Sequence, residues 1–223
     1  METLDCIKAR KSVRKFSSKE ISQPVLYSIF ESATYAPSAG NTQNTRFIVI
    51  EDEETKKLIA GAALEQEFIV DAPVVVVVCS VNEGLKREYD ERGEKLYSHQ
   101  GAAAAIENML LAATDLGVGS CWIGAFTEAE IRMALRIPDD ISVEAIIPLG
   151  YSEDDERRPH KADPADSFFF GAWGDSKRAK DIFPLGNVAV EAGRKKAKQV
   201  IGEIIERAKR RHHAVQKGIR PKL

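Results

Sequence analysis

The chain has 223 residues, 43% of them hydrophobic and 30% charged, with a net charge of −2. That length supports one sizeable core with at most an appendage, and the small net charge gives no global field for nucleic acid. Cys6, Cys79 and Cys121 lie far apart, with no disulfide framework or metal spacing. Met1 to Arg10 lacks the apolar core of a signal peptide and the longest apolar stretch, Ala72 to Cys79, is too short to cross a bilayer, so a soluble cytoplasmic protein is expected.

The charge is unevenly spread. Residues 175–223 hold 14 Lys and Arg against 5 Asp and Glu, a balance of +9, which leaves −11 for residues 1–174. Two parts are therefore expected, a domain over 1–174 and a basic C-terminal helical extension over 175–223.

From the N-terminus, Thr3 to Arg10 reads as a short helix with Thr3 as N-cap and with Leu4 and Ile7 on one face. Arg10-Lys11-Ser12-Val13-Arg14-Lys15-Phe16 then places four cations and one hydroxyl within six residues. Two readings stand side by side, a solvated helix end or an anion cradle. On a helix, Arg10 and Arg14 would share a face, and arginine's planar fork suits phosphate. Ser22-Gln23-Pro24 opens a helix over Val25 to Tyr35, with Leu26, Ile29, Phe30 and Ala33 at core spacing. Pro37-Ser38-Ala39-Gly40-Asn41-Thr42-Gln43-Asn44 is irregular, and its density of amides and hydroxyls makes it a candidate ligand loop as well as a connector.

Arg46 to Ile50 reads as a strand, and Asp52 to Leu64 as a helix extending toward Phe68. After Asp71-Ala72-Pro73, the run Val74 to Cys79 is too apolar for a half-exposed strand and is expected at the centre of a sheet, buried on both faces. Residues 82–97 form a charged surface helix or lid-like excursion. Gln100 to Leu116 is the most hydrophobic helix; its small first half suits plain packing or close approach by a backbone or a flat cofactor. Gly117 ends it. Val118 to Gly124 is a strand or strand-turn. Thr127 caps the helix Glu128 to Leu135, with Glu130 at the capping-box position, and Ser142 to Leu149 is a further strand. Ser152 to Asp166 is a polar connector, Phe168 to Gly174 an aromatic stretch expected to be buried, and Val188 to Val215 a long amphipathic helix. The strands alternate with helices, giving an α+β fold with a mixed or antiparallel sheet.

The sequence holds no GxGxxG after the first strand and no GxxxxGK[ST]. It also lacks HExxH, GxSxG and a paired-cysteine zinc site. His99 reads as a surface or cap residue, and His212-His213 as a solvated pair. A redox enzyme whose chemistry resides in an organic cofactor needs few acid–base side chains of its own.

Taken together and in order, the basic run at 10–16, Pro37-Ser38-Ala39-Gly40-Asn41-Thr42-Gln43, Asp71-Ala72-Pro73, Gln100-Gly101-Ala102, Leu116 to Gly124, Ile137-Pro138 and Ile147-Pro148-Leu149-Gly150-Tyr151 resemble the FMN-dependent nitroreductase family over about residues 3 to 174. The resemblance implies a nitroreductase-like α+β fold, an intertwined homodimer with FMN at the subunit interface, and NADH or NADPH as reductant for a small-molecule electron acceptor. It implies that Arg10, Lys11, Ser12 and Arg14 hold the FMN phosphate and ribityl chain. Pro37, Ser38, Ala39 and Asn41, with Gln43 close by, would lie against the ring from the other subunit. Ile123 and Gly124 would offer backbone N–H groups at the ring's reactive edge. Arg158, His160 or Lys161, with Lys161 first, would reach the phosphate. Arg14 or Lys15 would meet the negative charge of the reduced flavin. No catalytic side chain and no metal are implied, nor any membrane or nucleic-acid partner. The chain departs from the family in Gln43-Asn44-Thr45, where Gln-Pro-Trp is frequent, and in residues 175–223, which have no counterpart. Two alternatives stay open: a flavin-fragmenting or dehalogenating relative, and a flavin-containing binding or regulatory module that uses the basic C-terminal helix.

Overall fold

The computed structural model describes residues 1–153 and 161–176 and divides into two units, Met1–Arg158 and Pro159–Leu223. The first unit is built on the valine run. β2 (Val74–Val81) lies between β1 (Thr45–Ile50) and β4 (Ile141–Gly150), and the two-residue β3 (Gly119–Ser120) completes the order β1-β2-β4-β3, with every neighbouring pair antiparallel.

The unbroken apolar run of β2 follows from the two cores that it separates. Val74, Val76 and Val78 pack with Ala145, Ile147, Ile106 and Met109, on the face covered by α2 (Gln23–Thr34) and α6 (Ser98–Asp115). Val75, Val77 and Cys79 pack with Ile146, Ile59 and Ile131, on the face covered by α3 (Glu53–Ala62) and α7 (Glu128–Leu135). Alternation sends successive valines to opposite faces, and each one buried contributes about 1.5–3 kcal/mol.

Several local expectations are corrected. α1 (Thr3–Ala9) starts from Glu2 as N-cap, not from Thr3. α3 stops at Ala62 because Leu64 and Glu65 take positive φ; the short α4 (Phe68–Asp71) is a separate turn. Asp52 does cap α3, accepting from the Thr55 N–H at 2.8 Å. Thr127 holds the N-cap of α7 without a side-chain cap bond; the Glu128 carboxylate instead accepts from Val143 N–H at 3.1 Å and Arg132 at 2.7 Å. The strand-turn after α6 pairs as a strand only at Gly119–Ser120, with a single further bridge from Ile123 to Ile146.

In the second unit, Asp163 caps the four-residue α8 (Pro164–Ser167). The Phe168–Gly174 aromatics are not buried as expected: Trp173 is 92% exposed, with its ring centroid 4.9 Å from that of Phe169. The helix expected over 188–215 lies outside the described residues, as do Arg158 and His160. No helix among the described residues is long and apolar enough to cross a membrane.

Gly150, at the end of β4, is the tightest point beneath the N-terminal segment. A Cβ there would stand 2.7 Å from Pro73 Cδ and 2.8 Å from Phe16 Cδ1. We expect Gly150→Ala to cost about 1–3 kcal/mol by overpacking, read as a lower urea midpoint with an unchanged m-value.

Candidate functional site

The basic run is not helical. α1 ends with Arg10 as its C-cap, and the chain continues extended, with Ser12 bridging Ser120 and Phe16 bridging Ser152. Val13 N–H donates to Ser120 O, and Ser17 N–H to Tyr151 O, both at 2.9 Å. The helical face expected for Arg10 and Arg14 therefore does not exist. Val13 and Phe16, 3% and 6% exposed, are core residues that anchor the segment, and its backbone is held by the bonds to Ser120 and Tyr151 rather than by helical ones. In this strap, Ser12 and Arg14 flank the buried Val13, Ser12 half-buried and Arg14 exposed. Arg14 is exposed, while Arg10 is half-buried with Nε 3.4 Å from Glu107 Oε1 of α6.

The bridge to Ser120 sets this cationic strap beside the turn that follows β3. There Ile123 commits both backbone groups to Ile146, each bond at 3.0 Å. The Ile123 N–H, expected as a donor to the cofactor, is thus already committed, whereas Gly124, expected beside it, is exposed. Lys161 is exposed and belongs to the second unit.

The Pro-Ser loop is ordered by its own polar groups. Ser38 Oγ accepts from Gln43 N–H at 2.9 Å, and Arg46 donates to the carbonyls of Gln43 and Thr45 at 2.7 and 2.9 Å. Gly40, Asn41 and Gln43 take positive φ, a conformation open to glycine and tolerated by asparagine. Asn44 ties the loop to the sheet by accepting from Val81 N–H at 2.9 Å. Its side chain is 5% exposed, and both amide atoms lack a partner among the described residues. Buried polar atoms rarely stay unpaired unless a ligand or water completes them.

Two openings adjoin the loop. One, of about 140 Å³, is lined by Ala33, Pro37, Ser38, Gln43, Arg46 and Gly101. The other, of about 330 Å³, is lined by Pro37, Ser38, Ala39, Tyr97, Gln100 and Gly101. The sequence placed Asn44 in the candidate ligand loop without a role of its own, and it did not single out Arg46 or Tyr97. No motif marks Arg46 or Tyr97, because they meet the loop only through the first strand and the path of residues 83–97.

The strap and the loop stand at opposite ends of β2. The strap meets β3 and β4 where Leu149 pairs with Val74; the loop enters β1 where Thr45 pairs with Ser80. Six residues of strand between them amount to about 20 Å.

Cys6, Cys79 and Cys121 are buried and form no disulfide. Burial, and secondarily the Glu144 carboxylate, pushes the Cys79 thiol up to about 11, so it is no nucleophile at neutral pH. His99 is exposed with Nδ1 2.6 Å from Glu144 Oε2. Glu144 is the extra residue of a bulge in β4, since Val78 pairs with Ala145 and Cys79 with Val143. Among the described residues, no His, Cys, Asp and Glu cluster could hold a metal.

The nitroreductase family model matches residues 7–69 and 60–151. An Archaeoglobus fulgidus protein provisionally named NADH dehydrogenase/NAD(P)H nitroreductase is 37% identical over 159 residues, 70% of this chain and 88% of its own. The crystal structure of a nitroreductase family protein from Clostridium novyi is 34% identical with a TM-score of 0.64, covering 80% of this chain and 98% of that one. A Desulfovibrio desulfuricans protein provisionally described as a nitroreductase, solved in complex with FMN, is 28% identical with a TM-score of 0.69 over 78% of this chain and 98% of its own. The strap, the Pro-Ser loop and the strand-turn lie within the matched residues, and the chain belongs to the nitroreductase family.

Proposed function

We propose that the chain is an FMN-dependent NAD(P)H oxidoreductase that passes reducing equivalents to a nitroaromatic, a quinone or a similar electron-poor acceptor. The residues present fit the cofactor: cations and a hydroxyl on the strap, an exposed backbone turn one bridge away, and an orphaned amide, Asn44, behind the Pro-Ser loop. The observation that carries the reading is the Ser12–Ser120 bridge. It joins a phosphate-binding set to a ring-edge donor set within one chain.

FMN, when bound, supplies the hydride chemistry; the chain supplies position and charge. Arg10, Lys11, Ser12 and Arg14 bind the phosphate end through charge-assisted hydrogen bonds. Gly124 N–H faces the reactive edge of the ring. Asn41 and Gln43 offer amides to its polar edge. Because the loop sits about 20 Å along the sheet from the strap, a second copy contributes the loop, and the site lies at a homodimer interface.

Anaerobic titration of the purified yellow protein with NADH, and separately with NADPH, tests the reading. One of the two is expected to bleach the flavin band, and menadione or nitrofurazone to restore it. A flavin that neither nucleotide bleaches would overturn the proposal.

A further inference from the structure

The proposed function leaves the acceptor side of the site unassigned, and residues 83–97 adjoin it. α5 (Glu83–Arg92) is not a regular helix. Tyr89 leaves helical geometry, and Asp90 takes φ 52 and ψ −146, a region in which a residue other than glycine is strained. The chain continues as a π-turn, Gly93–Tyr97, into α6; such turns are frequent at functional sites.

The irregular path turns two rings toward the Pro-Ser loop. Tyr89 closes on Gly40: a Cβ at Gly40 would stand 2.8 Å from the Tyr89 hydroxyl and 3.1 Å from Glu88 Oε2. Tyr97 packs edge to face with Tyr89, centroids 5.3 Å apart at 80°. Arg92 Nε donates to the Tyr97 hydroxyl at 3.0 Å. Held on two sides, Tyr97 lines the opening of about 330 Å³ together with Pro37, Ser38, Ala39, Gln100 and Gly101. It contributes the aromatic ring of that lining; the rest is small or flexible.

We infer that Tyr97 is a specificity-determining residue, the wall against which the ring of a flat aromatic acceptor packs, with Tyr89 and Arg92 as its positioning residues. The inference rests on the proposed oxidoreductase function. It also gives Gly40 a role: a side chain there would displace Tyr89 and, through it, Tyr97.

The test compares wild type, Tyr97→Ala, Tyr97→Phe and Lys95→Ala as flavin-loaded proteins. The Kd of menadione for the oxidised protein, read as a visible difference spectrum without reductant, is measured beside the KM for menadione. For Tyr97→Ala both are expected to rise about three- to tenfold, the worth of one aromatic pair. Tyr97→Phe stays within about twofold of wild type because it keeps the ring, and Lys95→Ala, an exposed neighbour on the same turn, does not change. Unchanged menadione Kd and KM in Tyr97→Ala would overturn the inference. So would loss of flavin from that variant, which would make Tyr97 a cofactor residue. Failure of wild type to be reduced by either nucleotide strikes the proposed function instead, and the menadione Kd still reads the wall.

Discussion

Arg10→Ala combined with Arg14→Ala is expected to give a folded protein that purifies without its yellow colour. In the proposed site each guanidinium would supply a charge-assisted hydrogen bond to the phosphate, worth about 1.5–3 kcal/mol. Removing both costs about 3–6 kcal/mol, a loss of about two to four powers of ten in affinity. The fold has little at stake. Arg14 is exposed, and the Arg10–Glu107 pair, 3.4 Å apart with side chains 24% and 45% exposed, contributes under about 1 kcal/mol. Val13 and Phe16, which fasten the strap, are untouched. Titration of the variant with FMN, followed by flavin fluorescence, measures the loss; circular dichroism and the urea midpoint report the fold. A variant that retains a full complement of flavin would remove the strap from the site.

The second large effect concerns where the loop acts. Asn41→Gly with Gln43→Gly strips both amides yet preserves the backbone, because φ is positive at each position and glycine adopts that conformation freely. Alone, this loop variant and the strap variant are each expected to be colourless. Mixed in one refolding or co-expressed, they would form hybrids of the proposed homodimer. If the loop serves the partner's strap, one of the two sites in each hybrid combines an intact strap with an intact loop. Random pairing makes half of the dimers hybrid, so about a quarter of all sites regain flavin. If strap and loop of the same chain served one site, every site would carry a defect and no flavin would return. The flavin-to-protein ratio of the mixture separates the two outcomes.

What the sequence disclosed and what it withheld follow one physical division. The run Val74–Val78 could be placed at the sheet centre because burial on both faces leaves a compositional trace that no partner strand is needed to read. The α2 face of Leu26, Ile29 and Ala33 was legible for the same reason. The extended course of the strap was not legible because it is fixed by where Val13 and Phe16 anchor, and the receiving surface, at Ser120, Gly150 and Tyr151, is more than a hundred residues away in the chain. The break after α3 rests on positive φ at Leu64 and Glu65, residue types that give no turn signal. The Pro-Ser loop announced itself through its own composition. Arg46 and Tyr97 did not, and Asn44 stood out only as one amide of that loop, because their significance is positional: Asn44 pins the loop to β2, Arg46 holds its carbonyls, and Tyr97 arrives through an irregular excursion.

The strap ties ligand occupancy to the cohesion of one edge of the domain. The residues that would grip the phosphate alternate with those that plug the core, so an opening that frees Val13 and Phe16 also disperses the grip. A ligand present at a hundred times its Kd stabilises the closed form by about 2.7 kcal/mol. The benefit falls first on the two backbone bonds that fasten the strap, Val13 N–H to Ser120 and Ser17 N–H to Tyr151. Hydrogen exchange at those two amides is thus a local gauge of how full the site is, and the N-terminal edge is where a protease would distinguish empty protein from loaded.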